Sequence, residues 1–420
     1  MQPEITVLKN GLRVASFYYP QFETVSLGIW VNTGSAYEPE NLNGISHFVE
    51  HMVFKGTKSR NAFQISEDIE NVGGRSNAYT SREFTAFYAK MLKNDAELAL
   101  DVLSEMMTCP SFLEEELIKE REVVVQEIKQ TFDDPSDIIF DYMQAQAYQN
   151  QAMGRPILGT PELVRSFGSK ELRAYMNSNY AANNMVVCAV GNIKHDDFVK
   201  MVENKMSLVP QHSSFSIDKQ KYYGGYFAEK RDNEQAQIIL GFDGFKYADE
   251  HYYSSMLLTS ILGGGMSSRL FKEIREKRGL VYSVYCFPNY YTGSGFTGIS
   301  AATDREQINE MMPVMIDEIK KMTNEKVSAE ELVRAKSQMK AGMLMSLENS
   351  SAVAEKLARQ LLLFNRYMLV DEMVEYIEAV TADDILKTAQ KIFATKPTYT
   401  LVGNIDNHIS YEEVQNLIKG

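Results

Sequence analysis

The sequence predicts an α+β chain made of two homologous domains, and three features carry that expectation. Its 420 residues exceed what one ordinary core organises, so two domains of about 200 residues are the natural division. Each half mixes β-rich runs with longer helical stretches. The halves also repeat one another in register.

The elements follow from local pattern. Thr85 to Leu92 and Tyr282 to Phe287 combine aromatic and β-branched residues as strands do. Gly44 to Phe54, Ala96 to Met107, Leu113 to Gln130 and Ile308 to Met322 carry the apolar spacing of helices. Val186-Val187-Cys188-Ala189-Val190-Gly191-Asn192-Ile193 is echoed 212 positions later by Thr398-Tyr399-Thr400-Leu401-Val402-Gly403-Asn404-Ile405. Upstream of each lies a helix start signal, Ser169 with Glu171 and Thr381 with Asp383. Val25 to Ile29 is likewise echoed by Ile238 to Phe242. Polar residues from Leu208 to Gln220, with Pro210-Gln211-His212-Ser213-Ser214 as a loop signature, put the domain boundary between 210 and 221.

Composition narrows the function. A formal charge of −13 argues against nucleic acid, whose phosphates need Lys and Arg, and suits cationic peptides. No apolar run reaches 18 residues, so no membrane span is expected. The first residues lack the patterns of a secretory signal or transit peptide, and Cys109, Cys188 and Cys286 have no paired spacing. Reduced cysteines and a cytoplasmic location are expected.

The chemistry concentrates in His47-Phe48-Val49-Glu50-His51. Histidines at i and i+4 share one helical face, so two imidazole nitrogens can reach a single ion. Glu50 emerges beside that face, placed to hold a water without ligating the metal. This H-x-x-E-H order reverses the commoner H-E-x-x-H. Ile45, Phe48, Val49 and Met52 mark the helix as largely buried, where two imidazoles and a carboxylate need a reason. A third ligand is required. On the helix from Leu113 to Gln130, Glu120 and Glu127 fall within about 20° of one another at the apolar face. Glu114, Glu115 and Glu116 are explained by the helix dipole and Glu122 by solvent. Helical geometry leaves Glu120 and Glu127 as alternatives. The repeat sets Ser260, Gly263 and Gly264 opposite His47, Glu50 and His51, so the second half has the frame without the metal chemistry.

Over nearly its whole length the sequence resembles the pitrilysin family of metallopeptidases, in its processing-peptidase branch. That resemblance implies domains built on mainly antiparallel sheets packed with helices, the two together forming half of a clamshell. It implies a zinc-dependent endopeptidase with one Zn2+ per chain, and Glu127 as the third ligand, because the family's glutamate follows the second histidine by about 76 positions. Glu120, seven residues earlier, then supports a ligand. In the family zinc polarises the scissile carbonyl, and Glu50 takes a proton from the attacking water and returns it to the leaving amine.

The resemblance extends to substrate contacts. Gly73-Gly74-Arg75-Ser76-Asn77-Ala78-Tyr79-Thr80 is similar to the family's edge-strand segment, implying backbone pairing of an extended peptide with Asn77 and Ala78. Gly73-Gly74 would also suit a hairpin turn. Arg275 and Tyr282 match the family's substrate-holding and oxyanion-stabilising pair. Gly263-Gly264-Gly265 resembles its Gly-rich loop, and no lysine follows at phosphate-loop spacing. Asp137 and Asp141 match acids that hold an arginine near the cleavage point, although a solvated i, i+4 pair would read the same. Residues 1–210 thus become the zinc-binding catalytic domain and 221–420 the homologous, substrate-holding domain. The partners implied are an unfolded or extended, basic peptide or presequence and a second copy or a related chain. A non-catalytic scaffold or core-type subunit is the rival, and the intact His47, Glu50, His51 and Glu127 weigh against it.

Overall fold

The computed structural model describes residues 2–211 and 220–420. Most of the polar boundary loop, 212–219, lies outside the described residues. The first half runs β1 Glu4–Val7, β2 Arg13–Tyr18, β3 Thr24–Val31, α1 Ile45–Val53, α2 Ala62–Glu70, β4 Arg75–Thr80, β5 Thr85–Leu92, α3 Ala96–Thr108, α4 Glu114–Asp133, α5 Pro135–Ala147, α6 Pro161–Ser166, α7 Ser169–Asn179, β6 Met185–Gly191 and α8 His195–Met206. The second runs β7 Gly225–Lys230, β8 Ala236–Asp243, α9 Tyr252–Gly263, β9 Ser283–Tyr290, β10 Gly295–Thr303, α10 Ile308–Asn324, α11 Ala329–Ser346, α12 Ser350–Phe364, α13 Val370–Ala379, α14 Ala382–Phe393, β11 Thr398–Gly403 and α15 Tyr411–Lys419.

Two compact units result, and neither is continuous in sequence. Unit 1 comprises Met1–Lys129, Arg155–Asp218 and Leu344–Leu369; unit 2 comprises Gln130–Gly154, Lys219–Met343 and Val370–Gly420. Each unit therefore takes one helix from the other half of the chain, an exchange that the linear division at 210 and 221 does not contain.

In unit 1 the strand order is β1-β2-β6-β3-β5-β4. All neighbours are antiparallel except β2 and β6. In unit 2 the order is β7-β11-β8-β10-β9, with β7 and β11 the parallel pair. Strands β2-β6-β3-β5-β4 and β7-β11-β8-β10-β9 have the same order and the same senses. The duplication expected from the sequence is thus a duplication of topology.

The Gly-Asn-Ile signature acquires a cause here. Gly191 and Gly403 end equivalent strands at φ of 139° and 119°. A Cβ on either would stand 2.2 Å from the Thr24 carbonyl oxygen or 2.4 Å from that of Gln235. Only glycine fits both the backbone conformation and the approach.

One face of the first sheet packs on α1, α3, α7 and α8 around Leu27, Ile29, Phe48, Phe87, Leu103 and Phe198, all buried. Its other face, with Phe17, Trp30, Val186 and Val190, is covered by Val353, Ala354, Leu357, Ala358 and Leu361 of α12. Those five recur at helical spacing, so α12 is in unit 1 because its apolar stripe is. In unit 2 the corresponding cover is α5, which lies on β11, β8 and β7 with Ile139 and Met143 buried.

Several boundaries differ from expectation. Strand β9 begins after Tyr282 and continues through Pro288 to Tyr290, which an edge strand tolerates. The cap of α7 is Gly168, with the Glu171 carboxylate accepting its N–H, and Thr381 pairs with Asp384 rather than Asp383. The reciprocal partner sits three residues after the cap. Gly73 and Gly74 form no hairpin turn; they turn the chain from α2 into β4, donating to the Glu70 and Ile69 carbonyls.

Candidate metal centre

Helix α1 buries Ile45, Phe48, Val49, Met52 and Val53, an i, i+3, i+4, i+7, i+8 stripe that fixes its rotation. It is shorter than the expected Gly44 to Phe54, ending before Gly56. Its N-cap, Gly44, stands at φ 96° and has no side chain to offer. Glu38, 2% exposed, supplies the missing acceptor: its carboxylate takes the Gly44 and Ser46 N–H groups at 2.7 Å each and Asn43 Nδ2 at 2.9 Å. Tyr175 holds the Ser46 hydroxyl at 2.6 Å.

That rotation turns His47 and His51 to one side, their side chains 12% and 17% exposed. Helix α4 faces them. Glu127 Oε2 lies 3.8 Å from His47 Nε2 and 3.4 Å from His51 Nε2. The three ligand atoms offered by His47, His51 and Glu127 lie within 4.8 Å of one another, the only such group of three among the described residues. Glu120, seven residues back along α4, sits behind the trio: its Oε1 is 2.8 Å from His51 Nδ1 and its Oε2 is 2.8 Å from Lys55 Nζ. The alternative that helical geometry left open thus separates in space. Glu127 faces both Nε2 atoms, while Glu120 holds the opposite nitrogen of one ring.

The electrostatics are consistent with a cation between these groups. Burial drives His47 down to about 3, with His51 adding to the effect and Glu120 opposing it, so its imidazole is neutral. His47 Nδ1 is buried without a hydrogen-bond partner. For His51, burial lowers the pKa, but the Glu120 hydrogen bond and the charges of Glu127, Glu120 and Glu50 outweigh it and raise the net value. Burial pushes Glu120 up, and His51 and Lys55 together bring it below the ordinary range. Two imidazole nitrogens and one carboxylate oxygen, with a carboxylate fixing the second histidine from behind, fit zinc with an open coordination position.

Glu50 lies on the same helix and accepts a hydrogen bond from Thr80 Oγ1 on β4 at 2.5 Å. Burial raises its pKa, against the Thr80 hydrogen bond and the charge of His51. Strand β4 is an edge of the sheet, with Asn77 exposed and Ala78 half-buried. Thr80 was within reach of sequence reasoning, since it lies two residues after Ala78 and so on the same strand face. Lys55 follows His51 by four. Glu38 had no sequence signal, because its link to α1 is made through a loop.

The remaining predicted residues belong to unit 2. Asp137 is exposed in the first turn of α5, and Asp141 lies one turn on, half-buried. Arg275 sits in a π-helical turn, Phe271–Glu276, its guanidinium 5.0 Å from the Phe271 ring and 6.0 Å from that of Tyr282. Tyr282 is 71% exposed. Arg275 and Tyr282 therefore stand side by side. In unit 2, α9 ends at Gly263 with Gly264 as its cap.

Residues 13–161 match the family described as insulinase, peptidase family M16, and residues 166–339 match the M16 inactive domain. An uncharacterized zinc protease of Rickettsia felis is 38% identical over 403 residues, covering 96% of this chain and 98% of its own. One from Bacillus subtilis is 36% identical over 400 residues, covering 95% and 98%. The mitochondrial-processing peptidase subunit beta of Neurospora crassa is 32% identical over 433 residues, covering 99% and 90%. In fold the chain is similar to a protease from Helicobacter pylori, with a TM-score of 0.90 at 21% identity, covering 96% and 99%. The chain belongs to peptidase family M16, as a relative of its zinc proteases and processing peptidases. No helix among the described residues is long and apolar enough to cross a membrane.

Proposed function

We propose that this chain is a zinc-dependent endopeptidase that cleaves extended, basic peptides. The convergence of His47, His51 and Glu127 beside Glu50 carries the reading. His47, His51 and Glu127 would hold one Zn2+. Bound there, zinc would supply Lewis acidity toward the peptide carbonyl and toward water.

The chain's own groups do the rest. Glu50, oriented by Thr80, takes a proton from the attacking water and delivers it to the leaving amine. Its raised pKa brings it closer to neutrality, where a carboxylate can do both. Glu120 fixes the His51 ring through Nδ1. The exposed edge of β4 at Asn77 and Ala78 pairs with the peptide backbone, which selects extended substrates. Arg275 and Tyr282 hold substrate and stabilise the developing oxyanion, and Asp137 and Asp141 bind a basic side chain. The active form is a homodimer or a pair with a related chain, working in the cytoplasm. Neither buried cysteine, Cys188 or Cys286, has a disulfide partner.

The test is a comparison of the wild-type chain with Glu50→Gln on a basic presequence-like peptide, with zinc quantified in both. Cleavage by the wild type, its loss in the variant, and about one zinc in each are expected. Equal cleavage by the variant would refute Glu50 as the base, and metal-free wild-type protein would refute the site.

A further inference from the structure

Strand β4 presents its side chains to two faces of the sheet. Thr80 turns toward α1 and Glu50. Its neighbour Tyr79 turns the other way, and its hydroxyl donates to Glu355 Oε1 on α12. On that side, within unit 1, lies a cavity of about 220 Å³. Trp30, Tyr79 and Tyr88 give it aromatic walls, Glu355 a carboxylate, and Ser26 and Ser351 hydroxyls. The volume suits one long side chain rather than a whole small-molecule ligand.

The wall is built and charged. Trp30 Nε1 donates to Glu355 Oε2 at 2.7 Å, so both carboxylate oxygens are held by uncharged donors. Arg359 Nη1, one turn on along α12, also pairs with Oε1 at 3.8 Å, so an incoming cation would share this carboxylate with it. The Ser26 hydroxyl is within 2.8 Å of that of Ser350 and 3.0 Å of that of Ser351, which ties α12 to β3. Burial raises the Tyr88 phenol, and the charges of Glu355 and Glu50 both add to the rise. One ring thus feels both the cavity's carboxylate and the base of the candidate site.

A peptide added to the β4 edge would alternate its side chains between the two faces. Of two residues flanking a bond held near Glu50, one would point to the α12 face. Three aromatic rings with a fixed carboxylate form a setting for a cation, by ring quadrupole and by charge. The chain's net charge of −13 favours the same ligand. We propose that the Trp30–Tyr79–Tyr88–Glu355 cavity is the subsite for an arginine or lysine side chain of the peptide paired with β4. This rests on β4 being the strand that receives peptide.

The test uses full-length Glu50→Gln protein and fluorescent ten-residue alanine-based peptides. Each peptide carries a single arginine, lysine, norleucine or phenylalanine at successive positions, and anisotropy reads binding. At one position arginine and lysine should bind about tenfold tighter than norleucine. Glu355→Gln should remove most of that difference. Ala352→Leu, which fills the cavity and leaves the carboxylate in place, should remove it while the all-alanine peptide binds as before. A third variant, Tyr88→Leu, keeps the Trp30 and Tyr79 hydrogen bonds to Glu355 and should weaken only the cationic peptides; circular dichroism checks that each variant is folded. Preference for norleucine or phenylalanine, discrimination that survives all three variants, or no binding of any peptide would overturn the subsite. Binding is read without cleavage, so an inactive wild type would count against the endopeptidase reading alone.

Discussion

His51 Nδ1 stands 2.8 Å from Glu120 Oε1, and the ring's other nitrogen faces Glu127 at 3.4 Å. The ring is therefore held from one side for use on the other. Glu120 is itself 4% exposed and pinned by Lys55. Replacing Glu120 with Ala should weaken zinc binding by about 10- to 100-fold while leaving all three ligands in place. Competition with a chromogenic chelator measures it. An unchanged affinity would mean that Glu120 only balances the Lys55 charge.

Thr80 should matter to turnover and not to metal. Its hydroxyl is the side-chain donor to Glu50. Thr80→Val removes that donor at nearly constant shape, and kcat should fall about tenfold with zinc content unchanged. Loss of zinc in this variant would place the defect in α1 as a whole.

Glu38 should matter to stability first. It accepts two backbone N–H groups at the start of α1 where the cap is a glycine. Glu38→Ala leaves those donors buried and unpaired, at a cost of about 2–3 kcal/mol. Chemical denaturation of the metal-free protein reads this directly. A change below about 0.5 kcal/mol would show that the loop, and not the carboxylate, sets the helix.

Asp243 should make stability depend on pH. Burial raises its carboxyl to about 6, with the Gly244 N–H opposing, against about 3.9 in an unfolded chain. Between these values the folded state keeps a proton that the unfolded state has released, so stability falls as pH rises through that window. Below the lower value the residue costs nothing. Asp243→Asn should therefore stabilise by about 1 kcal/mol at pH 8, a figure reduced for partial solvent exposure. The gain should shrink toward zero as the pH approaches 4. Equal gains at pH 8 and pH 4.5 would assign it to another cause.

The sequence made the duplication and the histidine pair of the candidate site legible for physical reasons. Strand ends that require glycine recur as Gly191 and Gly403, and two histidines four apart must share a helix face. Helical pattern alone left Glu120 and Glu127 undivided, because both lie on one stripe of α4, and only the family spacing favoured Glu127. Glu38 and Glu355 could not be found from pattern. One acts through a loop and the other from a helix far along the chain, and neither spacing follows a helix or strand period. The linear boundary missed the exchange of α5 and α12 because helical periodicity reports that an apolar face exists, not which sheet it will cover.

That exchange limits how the molecule can be dissected. A fragment stopped at residue 210 would keep six strands and the candidate trio His47, His51 and Glu127. It would leave Phe17, Trp30 and Val190 without α12, the helix that keeps them dry. Such a bare sheet face invites self-association. The first half is thus not a self-sufficient piece waiting to be excised, and split versions should fold only when the missing helix is supplied in trans.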